Sequence, residues 1–113
     1  MAALTTHVVP LTGLRTDDLL SAASGGGDTC ATGAGVLLLV ANGDASSHTV
    51  TLATPQTVDG DLTVQDRVVT VAAGAQTAIP VTDRYRNPGT GRASISYDGV
   101  TSVTVAVVRT ATS

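Results

Sequence analysis

The sequence predicts an all-β protein: a small antiparallel β-sandwich or barrel, Ig-like or jelly-roll-like, with an extended N-terminal arm. Its 113 residues suit a single domain, and the apolar residues are almost wholly Val, Ala and Leu, with no Phe and no Trp. Lys and Glu, two strong helix formers, are both absent. From Val36 onward, apolar runs alternate with turn residues at intervals of about ten residues, which is the pattern of a sandwich.

Residues 1–34 differ in composition from the rest of this single domain. A strand is predicted at residues 4–10 and a capped helical turn at residues 16–20, and the segment then continues mostly as Gly, Ala, Ser and Thr. Because such a segment buries little apolar surface, we expect an arm that is either mobile or laid across a neighbouring subunit. Residues 35–113 are predicted to form the sandwich.

The first half of the sandwich begins with its most apolar run. Residues 36–41 are predicted to form a strand buried on both faces, which ends at the turn residues Asn42 and Gly43. Residues 49–53 alternate polar and apolar side chains, as a strand with one wet face does. Residues 58–64 surround an Asp-Gly-Asp turn and suggest a short edge excursion.

Two further strand pairs are predicted in the second half. Residues 68–72 and 77–81 indicate a hairpin whose second arm is an edge strand, because Pro80 cannot donate to a central ladder. Residues 93–97 and 103–107 show the clearest alternation in the chain. We expect this last pair to lie at the centre of the core, with its Val residues facing inward.

Composition and charge exclude several classes of partner. The net charge is −3, and the largest basic cluster is Arg84-Tyr85-Arg86, so a nucleic-acid footprint is missing. The longest apolar run is too short to span a membrane. The first residues lack the pattern of a secretory signal, so synthesis and retention in a cytoplasm are expected until assembly or lysis. Cys30 is the only cysteine and has no intrachain disulfide partner.

No constellation of reactive residues is evident in the sequence. Gly25-Gly26-Gly27 has no Lys to complete a phosphate loop, and the Asp-rich turns lack EF-hand spacing. His7 and His48 show no zinc spacing with Cys30. There is no Gly-x-Ser-x-Gly elbow and no Glu to act as an acid or base. We therefore predict no enzymatic activity, no catalytic residue, no cofactor and no metal site.

The candidate functional residues are those of an interface. A core of small side chains is marginal by itself, which favours self-association or docking on a partner. Arg and Tyr are enriched at protein interfaces, although the segment around residue 85 also fits a plain solvated loop. The predicted interface combines this segment with apolar residues of the arm: Arg84, Tyr85, Arg86, Leu4, Val8, Leu19 and Leu20.

Four segments carry a resemblance to a known group of proteins: residues 36–43, 57–60, 69–75 and 101–109. Through them the chain resembles small virion proteins encoded by tailed phages of high-GC, actinobacterial hosts. The resemblance implies a non-enzymatic structural protein of the virion, made in the host cytoplasm and located on the capsid surface.

The resemblance also implies a particular role and particular partners. The role is that of a capsid decoration or cement protein, which binds the outer surface of the shell formed by the major capsid protein and stabilises it. The implied oligomer is a homotrimer, and no nucleic acid, membrane or cofactor is involved. The alternatives are a tail or head-to-tail component of the virion, or a glycan-binding adhesin module.

Overall fold

The computed structural model describes residues 2–10, 12–13, 19–55, 57–58, 62–63 and 65–110. Within these residues the protein is a two-layer β-sandwich, which confirms the predicted fold class. The described residues hold no α-helix, and hence no helix able to cross a membrane; one turn of 3₁₀ helix covers Asp83–Tyr85. The strands are β1 (Ala2–Ala3), β2 (Thr6–Val9), β3 (Ser21–Ala22), β4 (Asp28–Cys30), β5 (Val36–Asn42), β6 (His48–Leu52), β7 (Thr57–Val58), β8 (Leu62–Thr63), β9 (Arg67–Val71), β10 (Gln76–Pro80), β11 (Arg86–Asn87), β12 (Arg92–Tyr97) and β13 (Val103–Thr110).

The strands form two large sheets and one small ribbon. The front sheet has the order β1-β4-β12-β6-β9, with β11 also paired to β12. The back sheet has the order β10-β5-β13-β2, with β3 also paired to β13. Strands β7 and β8 pair with each other, as expected for the predicted short excursion, whose turn at residues 59–61 lies outside the described residues.

The strands of the two sheets pair in a nested order. β6 pairs with β9, β5 with β10, β4 with β12 and β3 with β13, and all four pairs are antiparallel. The chain therefore resembles one long hairpin that has been rolled up, so that most consecutive strands lie in opposite sheets. This nested order is the jelly-roll arrangement of a β-sandwich.

The nesting overturns both predicted neighbour pairs. The segment predicted as a hairpin at residues 68–72 and 77–81 is split between the front and back sheets, and the turn between β9 and β10 crosses from one to the other. The same holds for β12 and β13, which face each other across the core. Pro80 does lie on an edge strand, as predicted, because β10 ends the back sheet. Alternation reports which face of a strand is buried, but it does not report which strand lies beside it.

The core lies between the two sheets and consists of small aliphatic side chains. Val103, Val105 and Val107 of β13 are all buried, as the alternation predicts. In β5 the side chains of Leu38 and Val40 are buried, whereas those on the other face are only half-buried. The prediction that this strand is buried on both faces is therefore wrong. Each fully buried Val or Leu stabilises the fold by about 1.5–3 kcal/mol.

The described part of residues 1–34 folds as part of the sandwich. β1 lies parallel to β4, and β2 lies parallel to β13. In β4, Asp28 and Cys30 are both fully buried. Arg92 donates a hydrogen bond to the carbonyl oxygen of Leu4 at 3.0 Å, which ties the link between β1 and β2 to the front sheet. The expectation of a separate arm differs from this arrangement, because composition does not reveal strand pairing; residues 16–18 of the predicted helical turn lie outside the described residues.

Candidate functional site

An open groove lies where the two sheets end side by side at β9 and β10. We call it the edge groove; its volume is about 490 Å³. Among the described residues, β9 pairs only with β6 and β10 only with β5, so each strand has a free edge beside the groove. Three apolar side chains, from both sheets and the 3₁₀ turn, line its inner wall: Val69, Ile79 and Tyr85.

The 3₁₀ turn closes one end of the edge groove. The N–H of Tyr85 donates to the carbonyl oxygen of Thr82 at 3.2 Å, which tightens this single turn. The hydroxyl of Thr32 donates to Asp83 at 3.0 Å and ties the turn to the segment after β4. As a result the ring of Tyr85 is inserted between the sheets and is only 7% exposed, whereas Arg84 is exposed beside it.

Two guanidinium groups line this end of the groove. Arg67 at the start of β9 and Arg84 both line the groove, and the Nε of Arg67 donates to the hydroxyl of Tyr85 at 3.4 Å. Asp66 lines an adjoining hollow of about 190 Å³, where it accepts a hydrogen bond from the N–H of Thr54 at 2.8 Å. Among the described residues, neither arginine forms an ion pair, and the residues that line the groove itself include both arginines and no acid.

The structure brings only part of the predicted basic cluster to the groove. Arg84 and Tyr85 line it, as a shared interface requires. Arg86 begins β11 instead, where it is exposed and lies beside Gly91. The short turn separates these neighbours because it directs successive side chains to different sides of the chain.

The predicted apolar interface residues lie elsewhere on the molecule. Leu4 and Leu19 line a hollow of about 310 Å³ beside β2, at the opposite end of the back sheet from β10. Val8 lies in β2 and is 49% exposed. Leu20 lies over the outer face of the back sheet, in a hollow shared with Leu39. The predicted residues therefore belong to three separate surfaces.

Sequence reasoning missed Arg67, Val69 and Ile79 as members of the edge groove. Their strands were predicted, but the groove exists only because β9 and β10 end different sheets at the same side. One sequence signal did predict part of this arrangement, because Pro80 indicates that its strand lies at the edge of a sheet.

A second cluster lies at the end of the sandwich where loops join the sheets. The ring of His48 lies between two carboxylates: its Nε2 is 2.8 Å from Asp44 and its Nδ1 is 3.0 Å from Asp98. The N–H of Thr49 also donates to Asp98 at 3.0 Å. A Cβ at Gly99 would lie 3.1 Å from the ring, so a residue without a side chain suits this position. We call this cluster the His48 clamp.

The His48 clamp favours a charged ring. The hydrogen bond with Asp44 raises the pKa of His48 above its ordinary value; burial opposes this, and Asp98 adds to the increase. The hydrogen bond from His48 lowers the pKa of Asp44. Burial alone would raise the pKa of Asp98, but hydrogen bonds from Thr49 and His48 together lower it. Because both ring nitrogens face carboxylates, neither is free to act as a general base or as a metal ligand.

A third polar group is buried beneath the front sheet. The hydroxyl of Tyr97 donates to Asp28 at 2.7 Å, and Asp28 also accepts a hydrogen bond from the N–H of Ser24. Burial raises the pKa of the Cys30 thiol to about 11, and the pKa of Tyr97 is also raised by burial. At neutral pH Cys30 is thus a thiol and not the reactive thiolate.

Comparisons with protein-family models, with curated proteins and with solved structures find no match to this chain.

Proposed function

We propose that this protein is a non-enzymatic structural protein of a virion, a capsid decoration or cement protein that binds the outer surface of the major capsid protein shell. The observation that carries the proposal is the edge groove, which combines an apolar wall with two strand edges and two arginines that have no partner strand and no ion pair among the described residues. Such a combination suits the recognition of another protein chain, because backbone groups, apolar surface and charge are all offered at one place.

The dimensions of the protein support a role on a surface. Its principal extents are 42 × 39 × 20 Å, so it is a thin slab with two broad faces. A slab of this kind covers a shell with little added thickness. Repetition by capsid symmetry multiplies modest contacts into a strong overall attachment.

The core composition supports self-association, for which we propose a homotrimer. Aromatic residues are nearly absent, and the buried side chains are mostly Val, Leu and Ala. Large apolar groups remain exposed on strands that end the sheets, including Val68, which is 58% exposed on β9. Burial of such groups between copies would add stability that the thin core lacks.

Co-sedimentation tests the proposal. The purified full chain is mixed with empty shells of tailed phages from actinobacterial hosts and centrifuged, and the pelleted fraction is measured against protein concentration. We expect saturable binding to the shells and a higher melting temperature of the decorated shells. Protein that stays in the supernatant with shells but pellets with purified tails would favour a tail component instead. Binding to a glycan array without binding to shells would favour an adhesin.

A further inference from the structure

We infer that the free edge of β10 receives an extended, acidic segment of a partner protein, which adds to the back sheet as an extra strand along the edge groove. The inference rests on the proposed function in one respect, namely that the partner is the shell protein. It goes further in naming the edge, the backbone groups and the chemistry of the segment that binds.

Backbone hydrogen bonds identify which groups of β10 are free. The N–H of Val81 donates to Val36 at 2.9 Å, and the carbonyl oxygen of Ala75 accepts from Asn42 at 2.9 Å. In an antiparallel ladder the direction of these groups alternates from residue to residue. The odd-numbered residues of this strand therefore bond to β5, and the even-numbered residues direct their backbone groups outward.

The outward groups form a short template that lacks only the N–H of Pro80. Gln76 and Ala78 each present an N–H and a carbonyl oxygen, whereas Pro80 presents only a carbonyl oxygen. An incoming strand would thus gain main-chain hydrogen bonds along most of β10. The proline limits the ladder at one end, which defines where the added strand stops.

The groove also selects among side chains. Alternate residues of an added strand would point towards the apolar wall formed by Val69, Ile79 and Tyr85. Small or branched apolar side chains fit this wall, which lies between the sheets. The segment should therefore carry an apolar residue at every second position.

Charge complementarity gives the segment its acidic character. Arg67 and Arg84 line the same end of the groove and form no ion pair with a described residue, although Asp66 lies in the adjoining hollow. Guanidinium groups bind carboxylates through charge-assisted hydrogen bonds. An Asp or Glu that enters between the two arginines would form the ion pair that neither of them has with a described residue.

The edge of β9 is the less suitable template. Two hydrogen bonds show which residues of β6 face β12: the N–H of Ala53 donates to the carbonyl oxygen of Ser94, and the N–H of Asp98 donates to that of Thr49. The odd-numbered residues of β6 and its continuation therefore direct their backbone groups towards β12, and the even-numbered residues direct theirs towards β9. By alternation, Val68 and Thr70 direct their backbone groups outward from β9. Neither of them lines the edge groove, whereas four residues from β10 do.

A peptide selection tests the inference directly. A phage-displayed library of random dodecapeptides is selected on the immobilised full chain, and enriched peptides are synthesised and their dissociation constants measured. We expect enrichment of peptides with an Asp or Glu beside alternating apolar residues, and about tenfold weaker binding when that acid becomes an amide. Lack of enrichment, or enrichment without acidic residues, would overturn the inference.

Matched variants locate the binding edge. Ala78→Pro removes an outward N–H from β10, and Thr70→Pro removes the equivalent group from β9 as the control. Arg84→Gln removes the charge at the groove, and Arg109→Gln removes an exposed charge on β13 as its control. We expect about tenfold weaker peptide binding for Ala78→Pro and for Arg84→Gln, and unchanged binding for both controls. Equal effects of Ala78→Pro and Thr70→Pro would contradict an assignment to β10, and the charge pair gives an independent result if a proline variant fails to fold.

The same variants separate this inference from the proposed function. If the protein binds shells and both Ala78→Pro and Arg84→Gln bind as well as the wild type, the function stands and the inference is wrong. If the selected peptides bind at β10 but no shell does, the inference stands and the function is wrong. If the free edges pair two copies instead, sedimentation of the chain alone will show a dimer that Ala78→Pro dissociates, which also counts against a partner segment.

Discussion

The two sides of the sandwich end in different ways. On one side the N-terminal segment passes from β1 in the front sheet directly to β2 in the back sheet, so continuous chain closes this side. At the crossing point the N–H of Leu4 donates to Thr29 at 2.8 Å, and Arg92 donates to the carbonyl oxygen of Leu4. On the other side β9 and β10 are joined only by a turn, and the edge groove stays open.

The difference fits the proposal that the open side binds a partner. An exposed strand edge is a hazard because it pairs with other chains, and proteins usually cover it or shorten it. Here β4 and β13 are covered by the short parallel strands β1 and β2, which continuous chain joins across the sandwich, whereas among the described residues β9 and β10 leave free backbone groups beside a groove. The closed side thus contributes to stability, and under the proposed function the open side receives the partner.

The largest expected effect is that of truncation at the closed side. Deletion of residues 1–30 removes β1 to β4, including the buried Asp28 and Cys30, and exposes the core of the front sheet. We expect loss of the cooperative unfolding transition in thermal circular dichroism. A shorter deletion of residues 1–5 retains β4 and should leave a folded protein with a lower melting temperature. A cooperative, native-like transition after the longer deletion would mean that this segment is an independent arm.

The same type of substitution, Arg to Gln, made once at each side compares how much the two sides contribute to the free energy of unfolding. Arg92→Gln removes hydrogen bonds to Leu4 and Thr29 and should lower the free energy of unfolding by about 1–3 kcal/mol. Arg84→Gln at the open side should change it by less than about 0.5 kcal/mol, because Arg84 is exposed. Urea denaturation of the two variants checks both values, and equal losses would remove the distinction between the two sides.

The thiol of Cys30 reports local opening of the closed side. It is buried in β4, and burial raises its pKa to about 11, so a thiol reagent at neutral pH should modify the native protein slowly. Arg92→Gln should accelerate the labelling about tenfold, if the opening free energy falls by about 1.4 kcal/mol. Arg84→Gln serves as the control and should leave the rate unchanged. Acceleration by both variants would indicate global rather than local opening.

The smallest expected effect concerns the His48 clamp at the loop end, between the two sides. Because the pKa of His48 is raised in the folded state, its contribution to stability is complete below about pH 6.5 and is lost as pH rises through the folded value. Asp44 and Asp98 have lowered pKa values, so their contribution is present above about pH 4 and is lost as pH falls through their folded values.

A pH series of urea midpoints tests this clamp. The wild type should exceed His48→Gln in stability most clearly between about pH 4 and 6.5, and the difference should shrink towards alkaline pH. His7→Gln is the matched control, as the only other histidine. A difference that grows with rising pH would contradict a charged ring held by two carboxylates.

Local patterns predicted much of the fold but little of the candidate site. Alternation at residues 103–107 correctly predicted a buried Val face, and Pro80 correctly predicted an edge strand. For the site, the sequence pointed to Arg84 and Tyr85 but missed Arg67, which joins them from a different strand. The His48 clamp was also missed, since Asp98 is 50 residues away along the chain.

The sequence by itself determined that this protein is built of strands and which face of the clearest strands is buried. Those properties depend on neighbouring residues, through backbone preference and the two-residue period of a strand. Only the tertiary structure decided which strands pair, that most consecutive strands lie in opposite sheets, and that one side remains open. Those choices depend on contacts between distant segments, because every inward-facing aliphatic strand satisfies the same local pattern whichever strand lies beside it.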